Sequence, residues 1–257
     1  MKSPQDYKCL YGLIGYPLVH SFSRIFFNNK FEAEDIDAQY INFEIPSLEL
    51  LAEIVAAYPN LRGLNVTAPY KEAVIPYLDS LDDDASEIGA VNVIKCIQDP
   101  RMGGFVELRG YNSDVVGFGQ TIDSIPLPEG TQAMVLGTGG AAKAVRTALR
   151  KRGIAVQFVS RRKSEHTLVY EEITRAMVAN YLLIINATPV GKYPDDNKCP
   201  DFPYRFLTKE HLCYDLIYNP EETLFMKNAA KYGAATKNGL EMLLLQAFSS
   251  YEIWNSF

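Results

Sequence analysis

The sequence predicts an α/β protein of two domains. Its 257 residues are enough for one large domain or two ordinary ones, since domains usually have about 100 to 200 residues. Short apolar runs alternate with segments of helical periodicity, and a Pro/Gly-rich stretch, Pro126–Gly130, separates two such series and is typical of a domain boundary. Repeated strand–helix units with continuous apolar strands form parallel sheets that are covered on both faces. We therefore expect at least the second half to be built on a doubly wound parallel sheet.

The first half has a βαβα pattern followed by a hairpin. Predicted strands lie at Tyr11–Ile14, Gln39–Glu44 and Leu64–Val66, with helices that begin near Ser21, Ser47 and Pro69. Two further strands, Ala90–Ile94 and Phe105–Leu108, flank the polar segment Gln98–Arg101. Turn residues between two strand-like runs indicate a β-hairpin.

The second half repeats the strand–helix alternation after a helix that begins at Asp114. The predicted elements are strands Ala133–Leu136, Ala155–Val159, Leu182–Asn186 and Tyr214–Ile217, and helices Ala141–Arg152, Glu221–Tyr232 and Gly239–Trp254. The last helix carries apolar residues at helical spacing, so we expect one of its faces to be buried.

Composition narrows the class of partner. Lys and Arg number 25 against 31 Asp and Glu, a formal net charge of −6, and most basic residues are scattered. We therefore expect no nucleic acid partner.

The N-terminus lacks a small-residue cleavage site, and no apolar run approaches the roughly 18 residues of a membrane helix. These features predict no membrane partner and a cytoplasmic location.

The histidines and cysteines predict neither a metal site nor a disulfide framework. Three histidines and four cysteines lie far apart, without the spacings of a zinc site. Four cysteines in a chain of this length are typical of reduced thiols in a cytosolic protein. We expect no bound metal.

A glycine-rich turn between a strand and a helix predicts dinucleotide binding. The segment Gly137-Thr138-Gly139-Gly140-Ala141-Ala142 follows an apolar strand and opens a helix, as in the Rossmann-type fingerprint. In that fingerprint the first glycine allows the tight turn, the second lets the backbone approach a pyrophosphate, and a small third residue allows close helix packing. Such turns also join strands to helices for purely steric reasons, so the motif alone is weak.

The end of the next strand favours NADP(H) over NAD. An NAD-specific site has an acidic residue there for the ribose 2′-hydroxyl. Here the chain reads Ser160-Arg161-Arg162-Lys163. Guanidinium groups match phosphate geometry, so the segment suits a 2′-phosphate. The alternative is a solvated basic loop.

A lysine stands where helix geometry disfavours one. In Asn65-Val66-Thr67-Ala68-Pro69-Tyr70-Lys71, Asn65 and Thr67 share one strand face, and Pro69 can occupy the first helical position. Lys71 then falls in the first turn, which already carries positive dipole, at a cost of a few tenths of a kcal/mol. This position indicates that a bound anion or a function of Lys71 compensates for the cost. For Lys71 in isolation, the alternative is an ordinary surface lysine.

Taken together, the motifs resemble those of the shikimate dehydrogenase family over nearly the whole chain. The segments that carry the resemblance are Gly12–Pro17, His20–Ser23, Asn65–Lys71, Ile88–Asn92, Gly110–Asp114, the Gly137 turn, Asn186–Gly191, Asp215–Pro220 and Gly239–Ala247. The resemblance implies NADP-dependent interconversion of 3-dehydroshikimate and shikimate, a step of aromatic amino-acid biosynthesis. It also implies a substrate domain at 1–112, completed by the C-terminal helix at 238–257, and a Rossmann-type NADP domain at 113–237.

The resemblance carries roles residue by residue. Matching the family's catalytic pair are Lys71 and Asp114. Matching its substrate contacts are Ser21, Ser23, Asn65, Thr67, Lys71, Asn92, Asp114, Tyr218 and Gln246. Matching or adjoining its NADP contacts are Gly137, Thr138, Gly139, Gly140, Ala141, Ser160, Arg161, Arg162, Thr188 and Gly239. The same resemblance is compatible with a monomer or a homodimer.

Several positions depart from the family pattern, and alternatives remain. Arg24 replaces a usual proline, Lys192 a methionine and Ser113 a threonine, while the Asn-Arg-Thr of the NADP loop has become Ser160–Arg162. One alternative is an NAD-using enzyme that accepts quinate. Another is a non-catalytic binding module, against which the presence of both Lys71 and Asp114 argues. Ser21 or Ser23 could also serve merely as a helix cap.

Overall fold

The computed structural model describes residues 2–18, 21–99 and 105–256. Two compact units divide the chain: Met1–Ser113 together with Ala247–Phe257 form the first, and Asp114–Gln246 form the second. The predicted turn at residues 100–101, and His20 of one family-like motif, lie outside the described residues. The expectation of a domain boundary at Pro126–Gly130 is wrong, because this stretch falls within the second unit, between a helix and the first strand of its sheet.

A six-stranded mixed sheet forms the centre of the first unit. Its strands are β1 (Cys9–Gly15), β2 (Ala38–Glu44), β3 (Leu61–Val66), β4 (Ser80–Leu81), β5 (Val93–Asp99) and β6 (Phe105–Tyr111), in the order β2-β1-β3-β5-β6-β4. β1 runs parallel to β2 and β3, whereas β5 is antiparallel to β3 and β6. The parallel part follows from the βαβ connections, and the antiparallel pair β5–β6 confirms the predicted hairpin.

Both faces of this sheet are covered. Leu10 and Ile14 of β1 belong to one apolar cluster, while Tyr11 and Leu13 belong to another on the opposite face, as the two-residue period of a strand requires. The helices of the unit are α1 (Phe22–Ala33), α2 (Leu51–Ala57), α3 (Tyr70–Ala73) and α4 (Asp83–Ile88). Trp254, from the C-terminal segment, packs in the second cluster and donates a hydrogen bond to the Ile94 carbonyl, 3.1 Å away.

The sheet of the second unit is entirely parallel. Its strands are β7 (Ala133–Leu136), β8 (Val156–Ser160), β9 (Thr167–Val169), β10 (Leu183–Asn186), β11 (Leu212–Asp215) and β12 (Ala235–Lys237), in the order β12-β11-β10-β7-β8-β9. The helices are α5 (Ser113–Asp123), α6 (Gly140–Arg150), α7 (Arg175–Asn180), α8 (Leu224–Ala230) and α9 (Leu240–Asn255), whose later turns belong to the first unit. The chain leaves β7 in one direction and returns beside it as β10, which is the doubly wound order. The predicted α/β class is confirmed.

Some predicted bounds shift for local reasons. The strand expected at Tyr214–Ile217 lies at Leu212–Asp215, because the Asp215 side chain accepts a hydrogen bond from the Ile217 N–H (3.0 Å) and turns the chain. The helix expected from Glu221 begins after Thr223, whose hydroxyl oxygen accepts from the Met226 N–H at 3.3 Å. Such a bond satisfies an otherwise unpaired first-turn N–H and marks the helix start.

Five short elements were not predicted: β4, β9, β12, α4 and α7. Each has six residues or fewer. Segments of this length carry too few residues to show a period. Within the described ranges, no helix is long and apolar enough to cross a membrane.

Candidate functional site

The second unit gathers the predicted cofactor residues at one edge of its sheet. Gly137 follows β7, Ser160 ends β8, Thr188 follows β10 and Gly239 follows β12. Because these strands are parallel, their carboxyl ends meet at the same edge. The strand order reverses between β7 and β10, and ligands of doubly wound sheets bind in the crevice at such a reversal.

The glycine turn is shaped to receive an anion. Gly137 has φ +111°, and a Cβ there would lie 3.0 Å from the Ala187 carbonyl oxygen, so only glycine fits well. Gly139 caps α6 without any side-chain acceptor, and a Cβ built on it would meet nothing within 4 Å. The first-turn N–H groups of an α-helix lack partners inside the helix and attract phosphate. The turn therefore fits the pyrophosphate of a dinucleotide.

The basic segment after β8 presents two exposed guanidinium groups. Arg161 and Arg162 are exposed, and the Arg162 N–H donates to the Ser160 hydroxyl oxygen at 3.3 Å. Lys163 instead pairs with Glu172, and its hydrogen bond lowers the pKa of that carboxyl. Of the three cations expected for a 2′-phosphate, Lys163 is thus neutralised locally.

An amide and a buried carboxylate shape the loop after β10. Asn186 accepts hydrogen bonds from the Thr188 N–H (3.1 Å) and hydroxyl (2.6 Å). Its Nδ2 donates to Asp215 at 3.0 Å. Asp215 also accepts from the Thr223 hydroxyl at 2.6 Å, and burial raises its pKa to about 6. The loop that carries Thr188 is therefore anchored to a fully buried acidic group.

Helices α5 and α9 approach closely within the second unit. A Cβ on Gly117 would lie 2.8 Å from the backbone nitrogen of Gln246. Asp114 lies three residues before Gly117, on the same face of α5, and is buried. On α9, the Gln246 Nε2 donates to the Leu243 carbonyl at 2.9 Å.

Gly239 and Tyr218 lie beside one backbone segment. The Gly239 N–H donates to the Ile217 carbonyl at 3.0 Å, and a Cβ on Gly239 would come 2.0 Å from the Leu216 carbonyl oxygen. Tyr218 follows directly and is half-buried, and its burial raises the pKa of the phenol. Gly239 is required here because no side chain fits against Leu216.

In the first unit, Ser21 and Ser23 lie at the start of α1. Ser21 caps the helix by accepting from the Arg24 N–H at 3.1 Å. A proline has no N–H to donate, so the departure to Arg24 supplies the hydrogen that this cap uses. Ser23 is half-buried in the first turn. The capping role expected as an alternative for one of the serines is met by Ser21.

Thr67 and Lys71 follow the end of β3. The Thr67 N–H donates to the Ile14 carbonyl at 3.0 Å, and its own carbonyl accepts from Tyr70 at 2.9 Å. Pro69 is the cap of α3 rather than its first residue, and Lys71 is the second residue of that four-residue helix. The Lys71 carbonyl accepts from the Val91 N–H at 2.7 Å, so the Lys71 backbone contacts the residue that precedes Asn92.

Asn65 and Asn92 meet at the end of β3. The Asn92 carbonyl accepts from the Val66 N–H (2.8 Å) and from the Asn65 Nδ2 (3.3 Å). Two residues that sequence analysis missed also contact Asn65: the Tyr40 hydroxyl at 2.8 Å and the Ser250 hydroxyl at 3.0 Å. No local sequence signal connects Tyr40 with Asn65, because the two residues lie on different strands, β2 and β3.

In the part of the chain that the structure describes, no three His, Cys, Asp or Glu side chains cluster where they could hold a metal ion. The glycine turn at the strand-order reversal defines the second unit as a dinucleotide-binding domain of the Rossmann type. Joined in one chain to a second α/β unit, it has the architecture of a nicotinamide-dependent dehydrogenase.

Comparison with known proteins specifies the family. A family model described as the shikimate dehydrogenase substrate binding domain matches residues 13–94. The shikimate dehydrogenase (NADP(+)) of Desulforamulus reducens is 35% identical over 270 residues, which cover 96% of this chain and 89% of the relative. The chain belongs to the shikimate dehydrogenase family.

Solved structures agree with this assignment. Shikimate 5-dehydrogenase from Thermus thermophilus, in complex with NADP(H) and shikimate, superposes with a TM-score of 0.82 at 29% identity, covering 97% of this chain and 94% of the other. Quinate dehydrogenase from Corynebacterium glutamicum, in complex with NAD, gives a TM-score of 0.83 at 26% identity, with coverage of 97% and 94%. The fold is therefore shared by enzymes with different substrates and cofactors.

Proposed function

We propose that this protein is an NADP-dependent oxidoreductase that reversibly reduces 3-dehydroshikimate to shikimate. The observation that carries the proposal is the family membership over 96% of the chain, together with Arg161 and Arg162 at the end of β8, where an NAD-specific site has an acidic residue. This step belongs to aromatic amino-acid biosynthesis.

The second unit would hold the cofactor at the carboxyl edge of its sheet. The turn Gly137-Thr138-Gly139-Gly140-Ala141 would bind the pyrophosphate, and Ser160, Arg161 and Arg162 the 2′-phosphate. Thr188 and Gly239, which follow β10 and β12, would contact the nicotinamide half. The bound nicotinamide supplies the hydride chemistry.

The first unit would supply most of the groups that recognise the substrate. Shikimate offers three hydroxyls and a carboxylate, so hydroxyl and amide side chains suit it. Ser21, Ser23 and Thr67 would bind the carboxylate, with Tyr218 beside it; a serine hydroxyl can accept a cap bond and still donate its hydrogen. Asn65, Asn92 and Gln246 would bind the ring hydroxyls.

Lys71 and Asp114 would form the catalytic pair. As the ketone is reduced, negative charge develops on its oxygen, and the Lys71 ammonium would stabilise that charge and deliver the proton. The Asp114 carboxylate would orient the ammonium and the reacting hydroxyl. In the oxidation direction, Lys71 would accept the same proton.

Turnover of four substrate pairs tests the proposal. Purified protein is mixed with shikimate or quinate and with NADP⁺ or NAD⁺, and reduction is followed by nicotinamide absorbance. We expect shikimate with NADP⁺ to give the highest kcat/KM. Preference for quinate with NAD⁺ would indicate the alternative enzyme, and no turnover with any pair would indicate a binding module.

The proposal extends to location and assembly. The four cysteines, all within the described ranges, are unpaired, as is usual in a reducing compartment. A cytoplasmic enzyme that acts as a monomer or a homodimer, without nucleic acid, is part of the same proposal. Light scattering of the purified protein measures its mass, and tetramers or larger assemblies would contradict this part.

A further inference from the structure

A buried hydrogen-bond network surrounds the Asn65 side chain in the first unit. The Tyr40 hydroxyl donates to Asn65 Oδ1 at 2.8 Å. Asn65 Nδ2 donates to the Ser250 hydroxyl at 3.0 Å and to the Asn92 carbonyl at 3.3 Å. Tyr40 and Ser250 are fully buried. Asn65 is therefore held from three directions by groups that are 25 to 185 residues distant along the chain.

The network determines the orientation of the amide. A backbone carbonyl can only accept, so the Asn65 atom that faces the Asn92 carbonyl must be Nδ2. Oδ1 then faces Tyr40. An amide has two hydrogens and two oxygen lone pairs, and here both hydrogens and one lone pair are engaged. What Asn65 can still offer a ligand is the second lone pair of Oδ1.

Tyr40 is built to act as a donor to Asn65. Its ring stacks on Phe27, with centroids 4.9 Å apart and an interplanar angle of 16°. Burial holds the pKa of the phenol well above its ordinary value, opposed by a hydrogen bond from Ser23. The hydroxyl therefore keeps its proton at neutral pH and can donate it to Asn65.

Ser250 joins Asn65 to a second amide. Its hydroxyl lies 3.1 Å from that of Ser113, and the Ser113 hydroxyl accepts from Asn92 Nδ2 at 3.0 Å. The Ser113 N–H donates to Asn92 Oδ1 at 2.7 Å. One connected set of buried bonds thus orients both Asn65 and Asn92.

We propose that Tyr40 and Ser250 are positioning residues that present Asn65 to the substrate solely as a hydrogen-bond acceptor. The inference rests on the proposed function, in which Asn65 contacts shikimate. An acceptor-only group selects a hydroxyl at the facing ring position. It rejects a carbonyl, whose oxygen has no hydrogen to donate, so Asn65 faces a hydroxyl that keeps its proton in both substrate and product.

Removal of single hydroxyls tests the positioning role. We expect Tyr40→Phe and Ser250→Ala each to weaken shikimate binding by roughly 3- to 10-fold, the usual net effect of one hydrogen bond. Affinity for NADP⁺ should not change. Matched controls are Tyr11→Phe, which removes a hydroxyl bonded to Asn255 in the same aromatic cluster, and Ser249→Ala, the neighbouring buried serine. Calorimetry measures each affinity.

A double-mutant cycle separates positioning from a general effect on stability. If Tyr40 acts through Asn65, Tyr40→Phe should weaken shikimate binding in the wild-type background but change it less than 2-fold in an Asn65→Ala background. An equal loss in both backgrounds would overturn the proposal, as would variants that bind like their controls. If the wild type itself fails to bind shikimate, the proposed function fails instead.

Shikimate analogues test the acceptor role directly. Fluorine replaces each of the two non-reacting hydroxyls in turn, because fluorine cannot donate a hydrogen bond. We expect one analogue to bind the wild type roughly 10-fold more weakly than shikimate does, and to lose this penalty in Asn65→Ala. If neither analogue shows a penalty that depends on Asn65, the acceptor assignment is wrong.

Discussion

The two units contain the same three-residue pattern at a strand end, with different surroundings. Asn65-Val66-Thr67 ends β3 in the first unit, and Asn186-Ala187-Thr188 ends β10 in the second. Asn65 bonds outward to Tyr40 and Ser250. The Asn186 oxygen bonds within its own loop, to Thr188, and its nitrogen bonds to Asp215.

The two asparagines therefore have different structural roles. Asn186 uses its oxygen to close a local turn, so its side chain shapes the loop that carries Thr188. Asn65 has no such bond to Thr67, and the Tyr40 hydroxyl occupies one of the two lone pairs of its Oδ1. Asn65 is held by the neutral hydroxyls of Tyr40 and Ser250, whereas Asn186 is held by the ionisable carboxyl of Asp215. Only the contact of Asn186 should therefore respond to pH near neutrality.

The largest expected effect comes from substitution of Lys71, which follows the first of these strand ends. Lys71→Ala should lower kcat by roughly 10²- to 10⁴-fold, the usual scale for a general acid or base, with a smaller change in KM. The KM for NADP⁺ should stay close to the wild-type value. Steady-state kinetics measures both, with the exposed Lys8→Ala as control. An unchanged kcat in a folded variant would remove Lys71 from the mechanism.

The stability that Asp215 contributes near the second strand end should depend on pH. The folded-state pKa of Asp215, about 6, lies above the ordinary 3.8 because of burial. Its contribution to stability is therefore complete below pH 3.8 and is lost as the pH rises through 6, a loss of about 3 kcal/mol by pH 7. Asp215→Asn should remove this loss.

Urea unfolding of the wild type and of Asp215→Asn between about pH 4 and pH 7 measures the difference. The exposed Asp196→Asn, in the same unit, is the control. Parallel stability curves for the wild type and Asp215→Asn would show that Asp215 does not titrate in this range.

The proposed preference for NADP rests on basic residues of the second unit. Hydrogen bonds to charged groups contribute about 1.5 to 3 kcal/mol, so Arg161→Ala should lower the kcat/KM ratio of NADP⁺ to NAD⁺ by roughly 10- to 150-fold, and less at high salt. Lys163→Ala is the matched control, because that lysine is paired with Glu172. A ratio that does not change in Arg161→Ala would refute the assignment.

The smallest expected effect, on the free energy of unfolding, distinguishes Ser21 from Ser23 at the start of α1. Both Ser21→Ala and Ser23→Ala should weaken shikimate binding if the hydroxyls bind its carboxylate. Only Ser21 caps α1, so only Ser21→Ala should also lower the free energy of unfolding, by about 1 kcal/mol. Calorimetry and thermal unfolding measure the two effects; equal destabilisation by both variants would contradict the separation.

Local signals made much of the second unit predictable. Strand Ala133–Leu136 lies at the predicted residues, because a short apolar run followed by a glycine turn leaves few alternatives. The bounds near Asp215 and Thr223 were wrong by two or three residues, because side-chain-to-backbone bonds, rather than hydropathy, end that strand and begin that helix.

The α/β class, the glycine turn and the family-like motifs could be predicted from the sequence, because each depends on residues that are near one another along the chain. The hydrogen bonds of the Asn65 amide could not be predicted in this way, because they depend on the tertiary structure. An asparagine offers the same donors and acceptors in any sequence, and which of them remain for a ligand depends on Tyr40 and Ser250, brought to it by another strand and by the C-terminal helix.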